Sequence, residues 1–205
     1  ENLFRELGVT TLVSGGQTMN PSTDDILKAI EQTPAKVVYV LPNNKNIIMA
    51  AEQTVPLSSR QGVVLPTRTI PMGISAMINF DPDLSVEENT IQMQNAFEKV
   101  TTGQLTFAAR DSDFDGFKIK KNDIMAMENG KIVFTDNDLE RSAVRLCKQL
   151  CKKNVQFLTV LYGADVESTV AERVVNTLTE QLGDRVEINL IEGGQPVYYF
   201  IISAE

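Results

Sequence analysis

The stretch VVYVLPNNKNIIMAAEQTVPLSSRQGVVL, residues 37–65, decides the fold. Val37 to Leu41 is an unbroken apolar run. A parallel strand covered on both faces reads this way, because neither face alternates with solvent. Asn43 or Asn44 then offers a cap for a helix. In that helix Ile47, Ile48, Ala50 and Ala51 recur on the inward face. Val63 to Leu65 is a further short strand. Strand, helix, strand at this spacing predicts an α/β layer with parallel strands.

Working outward, Val9 to Val13 reads as an additional strand ending at Gly15–Gly16. Ser22 supplies the next cap, with Asp24 and Asp25 in the first turn, where the helix dipole favours negative charge. Ile26, Leu27 and Ile30 give that helix its apolar face, and Thr33–Pro34 stops it. Beyond the apolar segment Ile70–Ile78 and a break at Asp81–Pro82, Ser85 and Glu88 form a capping box. Val86, Met93, Ala96, Phe97 and Val100 follow at helical spacing. Thr101-Thr102-Gly103 ends this helix, which sets expected lobes of 1–102 and 103–205.

The second half is different. Leu105–Ala109, Phe117–Ile119, Ile124–Met127 and Ile132–Phe134 are short strands separated by turns, and Asn129–Gly130 signals a tight hairpin. Leu139, Ala143, Leu146 and Leu150 mark one helix. Val170, Val174, Leu178 and Leu182 mark another, with Asp165 as its expected cap. Val155–Tyr162, Val186–Ile191 and Val197–Ile202 are the remaining strands. The expectation is a mixed sheet with two helices on one face.

Composition narrows the function. Hydrophobic residues make up 42% and charged residues 22%, which is the balance of a globular domain rather than a disordered chain. The longest apolar runs are strand-sized, so no membrane span is expected. No signal-peptide pattern is present, and a cytoplasmic location is expected. The chain starts at Glu1 rather than Met, which reads as a piece of a longer protein. The net charge of −8, with scattered lysines and arginines, disfavours nucleic acid, which needs a basic surface. There is no histidine. That removes Ser-His-Asp and Cys-His triads, histidine-bearing zinc sites and histidine bases together. An enzyme would need some other acid and base pair, and the sequence presents none.

Several local patterns invite a site. Gly15–Gly16 lies between a strand and a helix, as anion-binding loops do. It matches neither the dinucleotide fingerprint nor the phosphate loop. Asp111-Ser112-Asp113-Phe114-Asp115-Gly116 opens like a calcium loop, but its twelfth position is Asn122, where a bidentate glutamate belongs. A solvated turn between strands is the better reading. Asp136, Asp138 and Glu140 are explained as helix-start charges. Cys147 and Cys151 share a helix face and read as small core residues. Met72, Met77, Met93, Met125 and Met127 suit a core, or an acyl-chain lining. Leu12-Val13-Ser14-Gly15-Gly16-Gln17 is echoed by Leu190-Ile191-Glu192-Gly193-Gly194-Gln195, as two independent glycine turns or as two loops meeting at one edge.

Three segments carry a resemblance. Residues 17–27, from Gln17-Thr18-Met19-Asn20-Pro21-Ser22 onward, the turn Asn43-Asn44-Lys45-Asn46, and Val64-Leu65-Pro66-Thr67-Arg68-Thr69-Ile70-Pro71-Met72-Gly73 resemble the DegV family of fatty-acid-binding proteins. The same segments, with Glu192-Gly193-Gly194-Gln195-Pro196, look still more like the C-terminal region of the fatty acid kinase ATP-binding subunit family. The resemblance implies a two-lobed DegV-like α/β fold. It implies a domain without catalytic residues, which holds a DegV-type fatty-acid-binding partner while a dihydroxyacetone-kinase-like domain makes acyl phosphate. ATP and Mg are expected in that other domain, no cofactor or metal in this one, and a homodimer is a possible state of the whole protein. DegV proteins hold the acid head with loop hydroxyls and a histidine. Here those positions have changed, and a buried carboxylate without donors costs several kcal/mol. The alternative is a DegV-type lipid carrier. The loop face offered as functional comprises Gly15, Gly16, Gln17, Thr18, Asn20 and Ser22; Asn43, Asn44, Lys45 and Asn46; Thr67 and Arg68; and Gly193, Gly194 and Gln195.

Overall fold

The computed structural model describes residues 1–15, 20–114, 116–151 and 154–205. They divide into two units, Glu1–Val100 and Thr101–Glu205.

The first unit is built on the stretch from Val37 to Leu65. Strands β1 (Val37–Val40) and β2 (Gln61–Val64) pair in parallel, with helix α3 (Lys45–Thr54) as the crossover. Val38 belongs to a cluster with Ile26 and Ile30 of α2 (Thr23–Gln32), against which Val40, Ile47 and Val55 pack. Tyr39 and Leu41 instead pack on Leu65, Ala76, Met93 and Phe97, the last three from α4 (Ile70–Ile78) and α5 (Val86–Phe97). The unbroken apolar run thus has a physical cause, since consecutive residues face opposite cores. Capping boxes start α2, through Ser22 and Asp25, and α5, through Ser85 and Glu88.

Three expectations for this unit need correction. Val9–Val13 forms no strand; α1 (Asn2–Glu6) precedes it, and Val9 donates its amide to Phe4 O. A strand needs a neighbour for its backbone groups, and this segment has no ladder partner among the described residues, although Thr11 meets Thr33 hydroxyl to hydroxyl at 2.9 Å. Ile70–Ile78, expected only as an apolar segment, is a helix capped by Thr69 with Pro71 in its first turn, a start signal legible in the sequence. Helix α5 stops at Phe97, and Thr101–Gly103 opens a strand.

The second unit holds a six-stranded sheet in the order β7-β6-β3-β10-β8-β9. These strands are β3 (Thr101–Phe107), β6 (Ile124–Glu128), β7 (Lys131–Asp136), β8 (Phe157–Tyr162), β9 (Glu187–Glu192) and β10 (Tyr198–Ala204). Neighbours run antiparallel except β8 and β9, which are parallel and joined through α7 (Ser168–Leu182). Leu105, Leu158, Val160, Phe200 and Ile202 form one core with Ala143, Leu146 and Leu150 of α6 (Leu139–Leu150) and Ala171, Val174 and Leu178 of α7. The expected mixed sheet with two helices on one face is therefore present. Each large apolar side chain buried in it contributes about 1.5–3 kcal/mol. Asn129 and Gly130, at φ 49° and 80°, turn the β6–β7 hairpin. Cys147 and Cys151 lie in the core, where burial raises both thiol pKa values.

Here too details differ. The calcium-like stretch contains a strand, β4 (Ser112–Phe114), paired with β5 (Phe117–Ile119). Asp165 does not cap α7; the cap position is Glu167, without a side-chain bond. The last strand starts at Tyr198, because Val197 sits at φ 72°.

Candidate functional site

The candidate residues gather at the carboxyl ends of the two parallel strand pairs, one pair in each unit. Open α/β layers present ligands at such ends. In the first unit, the loop after β1 carries Asn43 and the loop after β2 carries Thr67. Asn43 donates its amide to the Thr67 hydroxyl at 3.0 Å, and Thr67 is fully buried. Thr67 N–H itself closes a tight turn on Leu65 O at 2.6 Å. Asn43 occupies the left-handed region at φ 54°, which asparagine tolerates better than most residues. Its Oδ1 is buried with no hydrogen-bond partner among the described residues. It lies over the first turn of α4, at Gly73. A Cβ on Gly73 would sit 2.7 Å from Asn43 Cγ and closer still to Oδ1.

The neighbouring candidates serve the local backbone. Asn44 caps α3, its Oδ1 accepting from Asn46 N at 2.9 Å. Ser22 caps α2, accepting from Asp25 N at 3.1 Å and donating to Asp25 Oδ2 at 2.6 Å. That exchange holds the Asp25 carboxyl below its usual range. Arg68 N–H donates to Met72 Sδ at 3.3 Å. The side chains of Lys45 and Arg68 are exposed, as are Gly15, Asn20 and Asn46. Gly16, Gln17 and Thr18 lie outside the described residues.

In the second unit the glycine loop after β9 closes on itself. Gly193 and Gly194 both donate to Tyr162 O, at 2.9 and 3.1 Å. Gln195 Nε2 donates to Leu161 O at 3.1 Å, and Gln195 O accepts from Ala164 N at 3.0 Å. Tyr198 N donates to Pro196 O at 2.8 Å across Val197 at φ 72°, a strained γ-turn. Gly163 is pressed beneath this loop. A Cβ there would stand 2.7 Å from Gln195 O and nearer to Tyr198 O. The glycine amides are therefore spent inside the loop, and an anion would have to displace protein bonds to use them. Sequence reasoning missed Gly73 and Gly163, the glycines that make both loops possible. Their signal was a lone glycine just after a strand or in a helix's first turns.

Among the described residues, no group of three or more Cys, Asp or Glu side chains is placed to hold a metal ion, and no helix is long and apolar enough to cross a membrane.

All 205 residues match the FakA-like C-terminal family, the C-terminal domain of A-like subunits of fatty acid kinase. The chain belongs to that family. Curated relatives of this FakA-like C-terminal domain include uncharacterized proteins of Staphylococcus aureus strains USA300 and N315. Each is 43% identical over 203 residues, with 99% of this chain covered but 37% of the relative. The chain thus spans little more than a third of those proteins. Solved structures with the same fold include a Thermotoga maritima protein described as revealing fatty acid binding function, at TM-score 0.65 and 13% identity over 100% of this chain and 82% of that one. A DegV family protein of Ruminococcus gnavus, solved with vaccenic acid, gives 0.64 and 14% over 100% and 83%. The dihydroxyacetone kinase of C. freundii gives 0.58 and 13%, covering 90% of this chain and 42% of that one. At these identities the likeness is one of fold.

Proposed function

We propose that this domain docks a DegV-type fatty-acid-binding protein and performs no chemistry itself. It holds the loaded carrier beside an ATP-binding, dihydroxyacetone-kinase-like domain of the same polypeptide, where acyl phosphate forms in the cytoplasm. Tethering of this kind raises the local concentration of substrate without a new catalytic group. One observation carries the reading. The polar groups at the strand ends are turned onto the protein's own backbone, and the one left over, Asn43 Oδ1, is an acceptor. A carboxylate is also an acceptor, so an acid head placed there is repelled and undone by desolvation. Lys45 and Arg68 are solvated, and a cation in water is not the buried donor that such a head requires.

The rival reading, a fatty acid carrier, draws on the fold it shares with DegV proteins. Two measurements separate them. Calorimetric titration of this chain with a lipid-loaded DegV-type carrier shows saturable heat if docking is correct. Native mass spectrometry of the purified chain shows no stoichiometric acyl ligand. A retained fatty acid, with no heat against the carrier at tens of micromolar, overturns the docking reading.

A further inference from the structure

On the solvent side of the second unit, α6 and α7 form a groove of about 400 Å³ lined by Glu140, Arg141, Val144, Arg145, Lys148 and Thr177. Its charge is opposite to that of the chain. The whole sequence carries −8, yet this groove has three cations against one carboxylate. The cations are not equally free. Arg141 is held by Asp136 and Asn137. Glu140 is held across the groove by Arg173 of α7, at 3.2 Å from Nε, which fixes the two helices at one end. The Arg145 guanidinium lies 3.9 Å over the Phe134 ring, which orients it but leaves its charge without a counter-ion among the described residues. Lys148 is exposed and likewise has no ion pair among them. The helix dipole accounts for a lysine in the last turn, but not for Arg145 in the middle of the helix.

The three cations follow one another at four and three residues, so they share a face of α6 over about 10 Å. Val144 supplies an apolar floor between them. A helix laid in this groove would meet cations at its own i, i+4 and i+7 positions and an apolar spot at their centre, the pattern by which an amphipathic helix docks. We infer that the groove receives an acidic amphipathic helix of a partner protein, with carboxylates reaching Arg145 and Lys148 and one apolar side chain on Val144. The inference deepens the docking reading and rests on it for the identity of the partner. Repulsion from the rest of an acidic surface steers such a helix to this one place.

The test uses this chain and two binders. The first is an alanine-rich helical peptide with glutamates four and three residues apart around a central leucine; its lysine counterpart is the control. The second is the lipid-loaded DegV-type carrier. Lys148→Glu should weaken the glutamate peptide about tenfold or more, and added salt should weaken it further. Lys99→Glu, an equal charge change on the first unit, should leave it unaltered, and circular dichroism confirms that both variants are folded. The inference fails if the two variants act alike, if the glutamate peptide does not bind, or if inorganic phosphate binds in its place. Peptide binding that depends on Lys148, while the carrier fails to bind at all, upholds the groove's chemistry and sinks the docking reading. A carrier that binds Lys148→Glu as well as the parent sinks this inference and leaves the docking reading standing.

Discussion

Gly73→Ala gives the sharpest test of the strand-end geometry, because two effects of known size oppose each other. Gly73 lies inside α4, and alanine in a helix interior is worth about 1 kcal/mol over glycine. On propensity alone the substitution stabilises. Against it, the new Cβ would lie 2.7 Å from Asn43 Cγ and nearer to Oδ1, inside the 3.0 Å that real Cβ atoms keep. Asn43 cannot swing away freely, since its amide is fixed on Thr67 and its backbone is at φ 54°. Overpacking of this kind costs about 1–3 kcal/mol, so the clash wins and the net loss should be up to about 2 kcal/mol. Asn43→Gly removes the obstacle and suits the left-handed backbone. In that background Gly73→Ala should turn neutral or stabilising, which gives a coupling energy of about 2–3 kcal/mol between the two sites. Urea unfolding of the four proteins, followed by far-UV circular dichroism, measures it. A parent chain stabilised by Gly73→Ala, or an equal effect in both backgrounds, would refute the contact.

Gly163→Ala faces backbone oxygens rather than a side chain, so it should cost about 3 kcal/mol; Gly194→Ala, at φ 60° with open space around it, should cost only about 1 kcal/mol. Comparing their urea midpoints separates close approach from backbone strain. Glu31 accepts from Ser58 and Ser59 hydroxyls at 2.7 and 2.6 Å and from Ser59 N at 2.6 Å, and these bonds lower its pKa from 4.5 to about 2. A carboxyl whose folded pKa lies below the unfolded one adds stability that is whole above about 4.5 and fades as pH falls towards about 2. Glu31→Gln should thus be less stable than the parent near neutral pH, with the gap closing in acid. Phe200→Ala, in the centre of the six-stranded sheet, should cost about 3–5 kcal/mol by thermal unfolding.

What was legible in the sequence was whatever rests on local chemistry. The Ser22 and Ser85 caps, the Asn129–Gly130 turn and the periodic faces of α6 and α7 each follow from a few adjacent residues. The parallel pair β1–β2 was legible because burial on both faces leaves an unbroken run. Val9–Val13 was misread for the complementary reason: an apolar run shows that a segment is buried or sticky, but not whether a ladder partner exists. The candidate loops were found by position, but what their groups do was not visible. That depends on contacts across sequence, such as Asn43 with Thr67 and Gly73, or Gln195 with Leu161.

Glycine is where the two kinds of information part. A double glycine after a strand suggests free amides that can cradle an anion, or a place where another chain segment must come close. The sequence is the same in both cases; the destination of the N–H groups decides. At Gly193 and Gly194 those groups converge on Tyr162 O, and Gly163 gives up its side chain so that the loop can lie flat on it. A loop built that way is stiff, because opening it breaks several bonds together and exposes groups that have no other partner. Stiffness suits a surface that another protein must recognise, since little ordering cost remains to be met on association. It suits poorly a mouth that must open for an acyl chain. Hydrogen exchange should therefore find the amides of residues 193–195 protected; exchange as fast as that of an open loop would favour a ligand gate over a docking face.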